Sequence, residues 1–377
     1  MHAIHGALAM PDLPKALEEV NQRRLAHLRV SQQKLTETAK ADVAKTEAAE
    51  GPDSLAALAA RFALANALFD QGRYPEAEAE HLAIFTQHRK KIGPEHPDTL
   101  ESRHQRGRCL LGMAMAKKAE SEYREIATIR AKVLGAEHPD TLASRMNLGT
   151  ALFSQAKYSE AEKEYRETAE IKYHVLGAEH PDTLASRMGL ANALYVQDKY
   201  GEAEAEHRTV LAIRERVLGA EHPHTLASRN NLAAVLDVQG KHAESEAEHR
   251  AVLAIRERVL GEEHPDTLTT RNNLAAALQN QCKYAEAEAE HHAVLAIRER
   301  VIGAEHPDVA QSCFNLALCL TNQEKLREAL DFMQRAEAVR DKALGPDHPY
   351  SKTAKTARAQ IEAELEGGKA KGKEVGE

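Results

Sequence analysis

The chain has no tryptophan, and aromatic residues of all kinds make up only 4% of its 377 residues. Ligand pockets of enzymes are lined mainly by apolar and aromatic side chains, so this scarcity points away from a deep catalytic pocket. Four cysteines (Cys109, Cys282, Cys313 and Cys319) form no CxxC pair and no disulfide-framework spacing, which fits reduced thiols and a cytoplasmic location. No stretch approaches the ~18 uninterrupted apolar residues of a membrane-spanning helix. Residues 1–10 lack the basic start and apolar core of a secretory signal. Positive charge is not in surplus either: a net charge of −8 argues against a general nucleic-acid binder, which would carry a basic stripe. HExxH, GxGxxG, Walker and GxSxG patterns are all missing. The sequence therefore assigns no catalytic residue, no metal and no cofactor, and reads as a protein that is not an enzyme.

What the chain does have is one octapeptide, Gly-Ala-Glu-His-Pro-Asp-Thr-Leu, at 135–142. It recurs with light variation from Gly93, Gly177, Gly219, Gly261, Gly303 and Gly345, always in steps of 42 residues. A fixed period of this size signals a repeat architecture. In such a stack each repeat touches only its neighbours, so the chain needs no single large core. Four segments follow: an N-terminal helical capping segment over 1–50, seven repeats over 51–344, a capping helix over 345–366 and a disordered tail over 367–377.

The repeat over 219–260 illustrates the pattern. Leu218 ends one helix and Gly219 takes a left-handed C′ conformation. Pro223 then opens a first helix (helix A), where its missing N–H costs nothing. Leu226, Leu232, Ala233 and Leu236 recur at helical spacing and give it an apolar stripe. Gln239-Gly240-Lys241 is the turn. A second helix (helix B) runs to Leu260 with Ser245, His249, Val252, Leu253, Ile255 and Val259 inward. The first copy, Gly-Pro-Asp-Ser-Leu at 51–55, lacks the His-Pro but keeps Leu58, Arg61 and Ala77 in register. Ahead of it, 13–50 is rich in good helix formers. Leu25, Leu28 and Leu35 hint at a seam that Gln32 and Asp42 interrupt, so a helix covering the open end of the stack is expected. After Gly345 one more polar helix to about Leu365 supplies the C-terminal cap.

The string Arg229-Asn230-Asn231-Leu232-Ala233, then Gln239-Gly240-Lys241, then Leu253 through Gly261, resembles a tetratricopeptide repeat of the 42-residue, kinesin light chain-like type. Small residues at Ala161, Ala203 and Ala287 match the position where that family's two helices cross closely. The resemblance implies an all-α, right-handed superhelical solenoid of helix-turn-helix repeats, with helix A lining the concave side where extended peptides lie. Two features depart from kinesin light chains. The segment 1–50 is too short and irregular for their long heptad region. An apolar position of the family is Arg in six repeats (Arg61, Arg103, Arg145, Arg187, Arg229, Arg271) and Cys313 in the seventh.

Several residue sets could carry function. Seven histidines (His96, His138, His180, His222, His264, His306, His348) share one loop position. Stacked repeats would hold them about 10 Å apart, whereas zinc ligands converge to about 2 Å from one ion, so they read as ordering the loop. His207, His249 and His291 stand where Tyr123 and Tyr165 stand in other copies and read as packing between helices. The repeated Arg could clamp acidic partners. Its identity in successive copies instead favours a buried stem paired with a helix-B carboxylate, as within 244–248.

Positions that vary between copies are those the stack does not dictate. On helix A they fall on one face: Met146/Thr150/Phe153, Met188/Asn192/Tyr195, Asn230/Ala234/Asp237 and Asn272/Ala276/Gln279 in repeats three to six. Beside them Asn147, Asn231, Asn273 and Asn315 share one register. An amide can donate and accept together, so these Asn could hold the main chain of a bound peptide, as the resemblance implies, or bond within the scaffold. Met146, Phe153, Met188 and Tyr195 would take an apolar anchor. The function this predicts is a non-catalytic scaffold whose partner is a protein or peptide, with neither nucleic acid nor membrane insertion. The alternatives are a sensory or assembly module working by self-association or docking to an effector, and a kinesin light chain-like cargo adaptor.

Overall fold

The computed structural model describes residues 33–346 and 348–374. Leu25 and Leu28, two of the three leucines of the expected N-terminal seam, lie outside the described residues. The described chain is helical over 33–50 (α1), followed by α2 (Leu55–Asp70), α3 (Tyr74–Lys91), α4 (Pro97–Gly112), α5 (Ala116–Val133), α6 (Pro139–Phe153), α7 (Tyr158–Leu176), α8 (Pro181–Tyr195), α9 (Tyr200–Leu218), α10 (Pro223–Val238), α11 (His242–Leu260), α12 (Pro265–Asn280), α13 (Tyr284–Ile302), α14 (Pro307–Asn322), α15 (Leu326–Leu344) and α16 (Pro349–Glu374). Among the described residues there is no strand. From α2 to α15, even-numbered helices are helix A and odd-numbered ones helix B, and consecutive helices pack on one another from α2 to α8 and from α10 to α16. The chain divides into two units, Met1–Ile213 (unit 1) and Arg214–Glu377 (unit 2).

The octapeptide is a helix-to-helix joint, and most of its letters have a physical task. The glycine after helix B sits at φ 93°, ψ 166° in Gly177 and φ 92°, ψ 161° in Gly261. Those angles lie beyond the ordinary left-handed helical region expected from the sequence, in territory essentially closed to any residue with a Cβ. The histidine is the N-cap of the next helix: Nδ1 of His138 accepts from the backbone N–H of Asp140 at 3.2 Å, and Nδ1 of His264 from that of Asp266 at 3.1 Å. Proline fills the first helical position. The threonine hydroxyl reaches back to the glycine carbonyl, as in Thr141 to Gly135 at 2.8 Å and Thr267 to Gly261 at 2.9 Å. In the first copy, which lacks His-Pro, Ser54 takes over as the cap and accepts from Ala57 N–H.

Leu226, Leu232, Ala233 and Leu236 are buried as the helix-A stripe predicts. On helix B, Ser245, His249, Val252 and Leu253 are buried, but the last inward position is corrected. Val259 is 53% exposed, and Arg256 is buried in its place, at 6%. Val259 lies in the final turn of α11, beyond the part of the helix that its neighbours cover. Ala77, Ala161, Ala203 and Ala287, at the close crossing of helices A and B, are fully buried.

At the crossing, one helix-B side chain is matched in size to the helix-A residue it faces. Tyr123 meets Gly107 and Tyr165 meets Gly149, where a methyl on the glycine would lie 2.7 Å from the ring. Where helix B carries His81, His207, His249, His291 or Met333, helix A carries Ala65, Ala191, Ala233, Ala275 or Ala317. Tyr165 also presses on Gly189 of α8, 2.8 Å from a methyl there. The expectation that His207, His249 and His291 are packing residues holds.

Carboxylates tie successive repeats together on the outside. In unit 1 Glu120 accepts from Lys157 Nζ at 2.7 Å, Gln155 Nε2 at 2.7 Å and Arg124 Nε at 2.9 Å. In unit 2 Glu246 accepts from Lys283, Gln281 and Arg250 at 2.7, 2.8 and 2.9 Å. The repeated Arg also pairs within the scaffold: Arg145 holds Glu164 and Glu167, and Arg271 holds Glu257 and Glu290.

At the N-terminal end, Ala39 and Val43 of α1 pack on Leu64, Leu68, Ala77 and Cys109, and the buried Thr36 hydroxyl meets Gln71 Nε2 at 2.6 Å. Leu35 points away, 62% exposed. At the other end α16 buries Ala354 and Ile361 against α15 and runs on past Leu365 to Glu374.

Two stability outcomes follow from this packing. The residue after each helix-A turn is left-handed, and only Gly72 and Gly240 are glycine there; Ala114, Ala156, Asp198, Cys282 and Glu324 carry φ near 60°. Ala156→Gly should therefore raise the melting temperature, reflecting about 1 kcal/mol of relieved backbone strain. Gly149→Ala should destabilise by about 1–3 kcal/mol through overpacking. Adding Tyr165→His should recover much of that loss, and a double-mutant cycle in urea would read the coupling.

Candidate functional site

Helix B ends in a basic residue whose polar head reaches beneath the next helix A. In unit 1 this is His88, Arg130 and Lys172; in unit 2 it is Arg214, Arg256, Arg298 and Arg340. Arg130 Nη1 donates to the Asp140 carbonyl and to Ser144 Oγ, both at 3.0 Å. Arg256 Nη1 does the same to Asp266 O at 2.9 Å and Thr270 Oγ1 at 2.6 Å. Arg298 reaches Asp308 O and Ser312 Oγ at 3.0 and 2.9 Å. This second basic ladder was missed in the sequence, although its signal was there: a basic residue in every copy, ten positions before a carbonyl of the next helix N-terminus. Burial lowers the pKa of Lys172, Arg256 and Arg298 from their ordinary values.

In unit 1 the helix-A face is largely committed to the scaffold. His104 is buried, with Asn147 Nδ2 at 3.1 Å from its Nε2 and Arg130 Nη1 at 3.3 Å from its Nδ1. The outer Nη2 of Arg130 donates to the Glu101 carboxylate at 2.7 Å. Burial would raise the pKa of that carboxyl, but Gln105, His104 and Arg130 outweigh it and hold it below the usual range. Met146 is half-buried, and its Sδ accepts from Ser186 Oγ at 3.5 Å. Phe153 and Tyr195 are half-buried against Tyr158 and Tyr200, ring to ring at 5.3 and 5.7 Å. Met188 is half-buried and Asn192 exposed.

Unit 2 differs. Asn231 and Asn273 are half-buried, and among the described residues neither makes a side-chain hydrogen bond. Oδ1 of Asn230 is buried without a partner. Asn272 Oδ1 lies 3.2 Å from His291 Nδ1, and Asn315 Oδ1 accepts from Gln311 Nε2 at 2.7 Å. Asp237 is held by His242 Nδ1 and Asn280 Nδ2, each at 2.7 Å, while Gln279 is half-buried. Of the four in-register Asn, two are thus tied into the scaffold and two are left open. The residues that tie Asn147 and Asn315, His104 and Gln311, have no counterpart in the copies between them, so spacing alone could not separate the two kinds.

No helix among the described residues is long and apolar enough to cross a membrane.

Models described as tetratricopeptide repeat match residues 55–130 and 266–342, and a second such model matches 141–182, 183–224 and 225–266. A Podosopora anserina putative kinesin light chain with nearly identical TPR-like repeats is 32% identical over 54% of this chain and 97% of its own, with a TM-score of 0.50. A tetratricopeptide repeat protein from Parabacteroides merdae shares the fold at 14% identity, over 81% of this chain and 98% of its own, with a TM-score of 0.57. A Rap protein complexed with Competence and Sporulation Factor does so at 14% identity, over 82% and 87%, with a TM-score of 0.56. No curated protein matches the chain.

Burial lowers the pKa of His81, His207, His249 and His291 to about 4. A group whose folded pKa is depressed binds more protons when unfolded, so its contribution is present above the unfolded value and lost as pH falls through the folded one. Stability should accordingly fall from about pH 6.5 towards about pH 4. Melting temperatures across that range would show it, and His291→Met, which copies Met333, should flatten the slope.

Proposed function

Because the chain belongs to the tetratricopeptide-repeat family, with repeats of the kinesin light chain-like type, we propose that it is a non-catalytic scaffold that binds an extended segment of another protein along the helix-A face. The observation that carries this reading is the pair Asn231 and Asn273. Both stand in the same register of successive A helices, half-buried and without a side-chain hydrogen bond, whereas Asn147 and Asn315 in that register are bonded within the scaffold. Equivalent positions of packed helices lie about 10 Å apart. An extended chain advances about 3.3 Å per residue, so the two amides would meet main-chain groups about three residues apart. Each amide offers a donor and an acceptor, which reads a peptide backbone whatever its side chains. In unit 1, Met146 and Met188 would take an apolar side chain by adapting their flexible thioethers.

Replacing Asn231 and Asn273 together by Ala should weaken binding of a captured partner at least about tenfold, as the loss of two hydrogen bonds would. The melting temperature should stay where it is, because neither side chain holds the scaffold. Equal losses of binding and stability would mark the pair as structural and sink the reading.

A further inference from the structure

The outer face at the junction of repeats one and two is unlike the junctions that follow it. Glu120, Glu162, Glu246 and Glu288 each accept from a glutamine and a lysine in the turn of the next repeat. The glutamate in that register of repeat one is Glu78, and the residues that would serve it are replaced together. Met113 stands where every other copy has glutamine, and Met115 where every other copy has lysine or arginine. Leu82 stands in the register of Arg124, Arg166, Arg208 and Arg250. Lys118 stands where the other copies all have glutamate, the residue that Arg124 and Arg250 meet as Glu160 and Glu286.

Glu78 is not left bare. It accepts from Arg106 Nε at 2.6 Å, and Arg106 Nη1 donates to Glu122 at 3.0 Å. Arg106 occupies the register of the buried Leu148, Leu190 and Leu232, so a core leucine is given up to satisfy the glutamate from inside. With the carboxylate drawn inward, apolar side chains remain on the outside. Leu82 is 38% and Met115 42% exposed, and Met113 is half-buried. Lys117 and Lys118 are exposed beside them in the first turn of α5, and among the described residues neither has an ion pair or a side-chain hydrogen bond. Cations in a first turn oppose the helix dipole, so the fold itself gains nothing from them. An exposed apolar centre with a charged rim has the form of a protein-interaction surface. Methionine suits such a surface because its flexible thioether adapts to a partner.

We propose that this outer junction is a second docking surface, for an amphipathic helix of another protein whose apolar side covers Leu82, Met113 and Met115 and whose acidic residues meet Lys117 and Lys118. The charge of the occupant follows from the two free lysines. Its form follows from backbone chemistry. The outer face is built of helices that keep their main-chain groups to themselves, so an extended chain lying on the thioethers would leave its own N–H and C=O groups without partners. A helix satisfies those groups internally and brings residues three and four apart to one patch. The chain's own residues 1–32 suit the lysines poorly, with four Lys or Arg against three Asp or Glu. None of these residues belongs to the candidate peptide-binding set on helix A, so either surface can be lost without the other.

The test is a displayed library of short amphipathic helices with randomised polar faces. It is selected on the full chain and on a variant rebuilt to match the other copies, Leu82→Arg/Met113→Gln/Met115→Lys/Lys118→Glu. Circular dichroism checks folding, and Met115→Lys alone takes the place of the four-site variant if that does not fold. Wild-type selections should converge on helices with large apolar residues on one face and Asp or Glu beside it. Synthetic copies of those helices should bind the rebuilt chain at least about tenfold more weakly, as the loss of apolar burial would require. Changing their acidic residues to Asn or Gln should weaken binding to wild type about threefold, and by less as salt is added. Helices that bind both chains equally, helices with no acidic preference, or enrichment of none would each overturn the proposal. So would a wild-type oligomer in light scattering that the substitutions dissolve, since the occupant would then be a second copy.

Discussion

A basic side chain pushed beneath the N-terminus of the next helix is the contact on which this repeat depends. Helix B and the following helix A are joined by a loop with no regular structure, so something must fix their angle. The guanidinium does so by donating to a first-turn carbonyl and to the hydroxyl one turn further on, as Arg130, Arg214, Arg256 and Arg298 each do. The Ser or Thr that receives it is buried and donates in turn to the same carbonyl, as Ser144 does to Asp140 O at 2.9 Å. Lys172 reaches only the carbonyl, at 3.4 Å, because an ammonium cannot fork. The planar fork also has a second edge that the joint does not use. Whether that edge is closed by the chain's own Glu101 or Gln311, or left open as at Arg256, differs from copy to copy.

Size matching at the helix crossing explains why the copies can differ without changing register. Tyr123 and Tyr165 are admitted by glycine, and the smaller imidazoles by alanine. Volume at that crossing is nearly constant although the chemistry is not. The Tyr165 ring also sits where Gly189 replaces the Asn of the neighbouring copies, so the register that could read a peptide is sacrificed to packing in repeat four. Unit 1 accordingly presents thioethers and rings on helix A, and unit 2 presents amides.

Most of the fold was legible in the sequence because its period repeats every local signal seven times. The glycine, the capping histidine and the helix-opening proline each act within a few residues, and such local rules survive any tertiary context. The errors came where a side chain has two natures. Val259 was placed inside by its apolarity and Arg256 was not among the inward residues, yet the last turn of the helix is uncovered and an Arg stem buries readily when its head finds acceptors. The candidate site was legible only as a register of Asn residues. Which of them are open was decided by His104 and Gln311, single departures from the repeat that no periodicity argument can foresee. Leu365 was read as a helix end before two glycines, but the helix continues through them to Glu374.

The outer carboxylate nodes carry an implication for how such a chain changes over generations. Lys157, Lys199, Lys283 and Lys325 each meet a glutamate 37 residues earlier, and Gln155, Gln197, Gln281 and Gln323 meet the same glutamates 35 residues on. Each bond is thus written as an offset rather than an address. Excising or duplicating one 42-residue block leaves every offset intact at the new junction, so genetic slippage can lengthen or shorten the array without inventing an interface. Length becomes a heritable quantity with discrete values, and departures such as His104 and Gln311 travel along the array as passengers of the block that carries them.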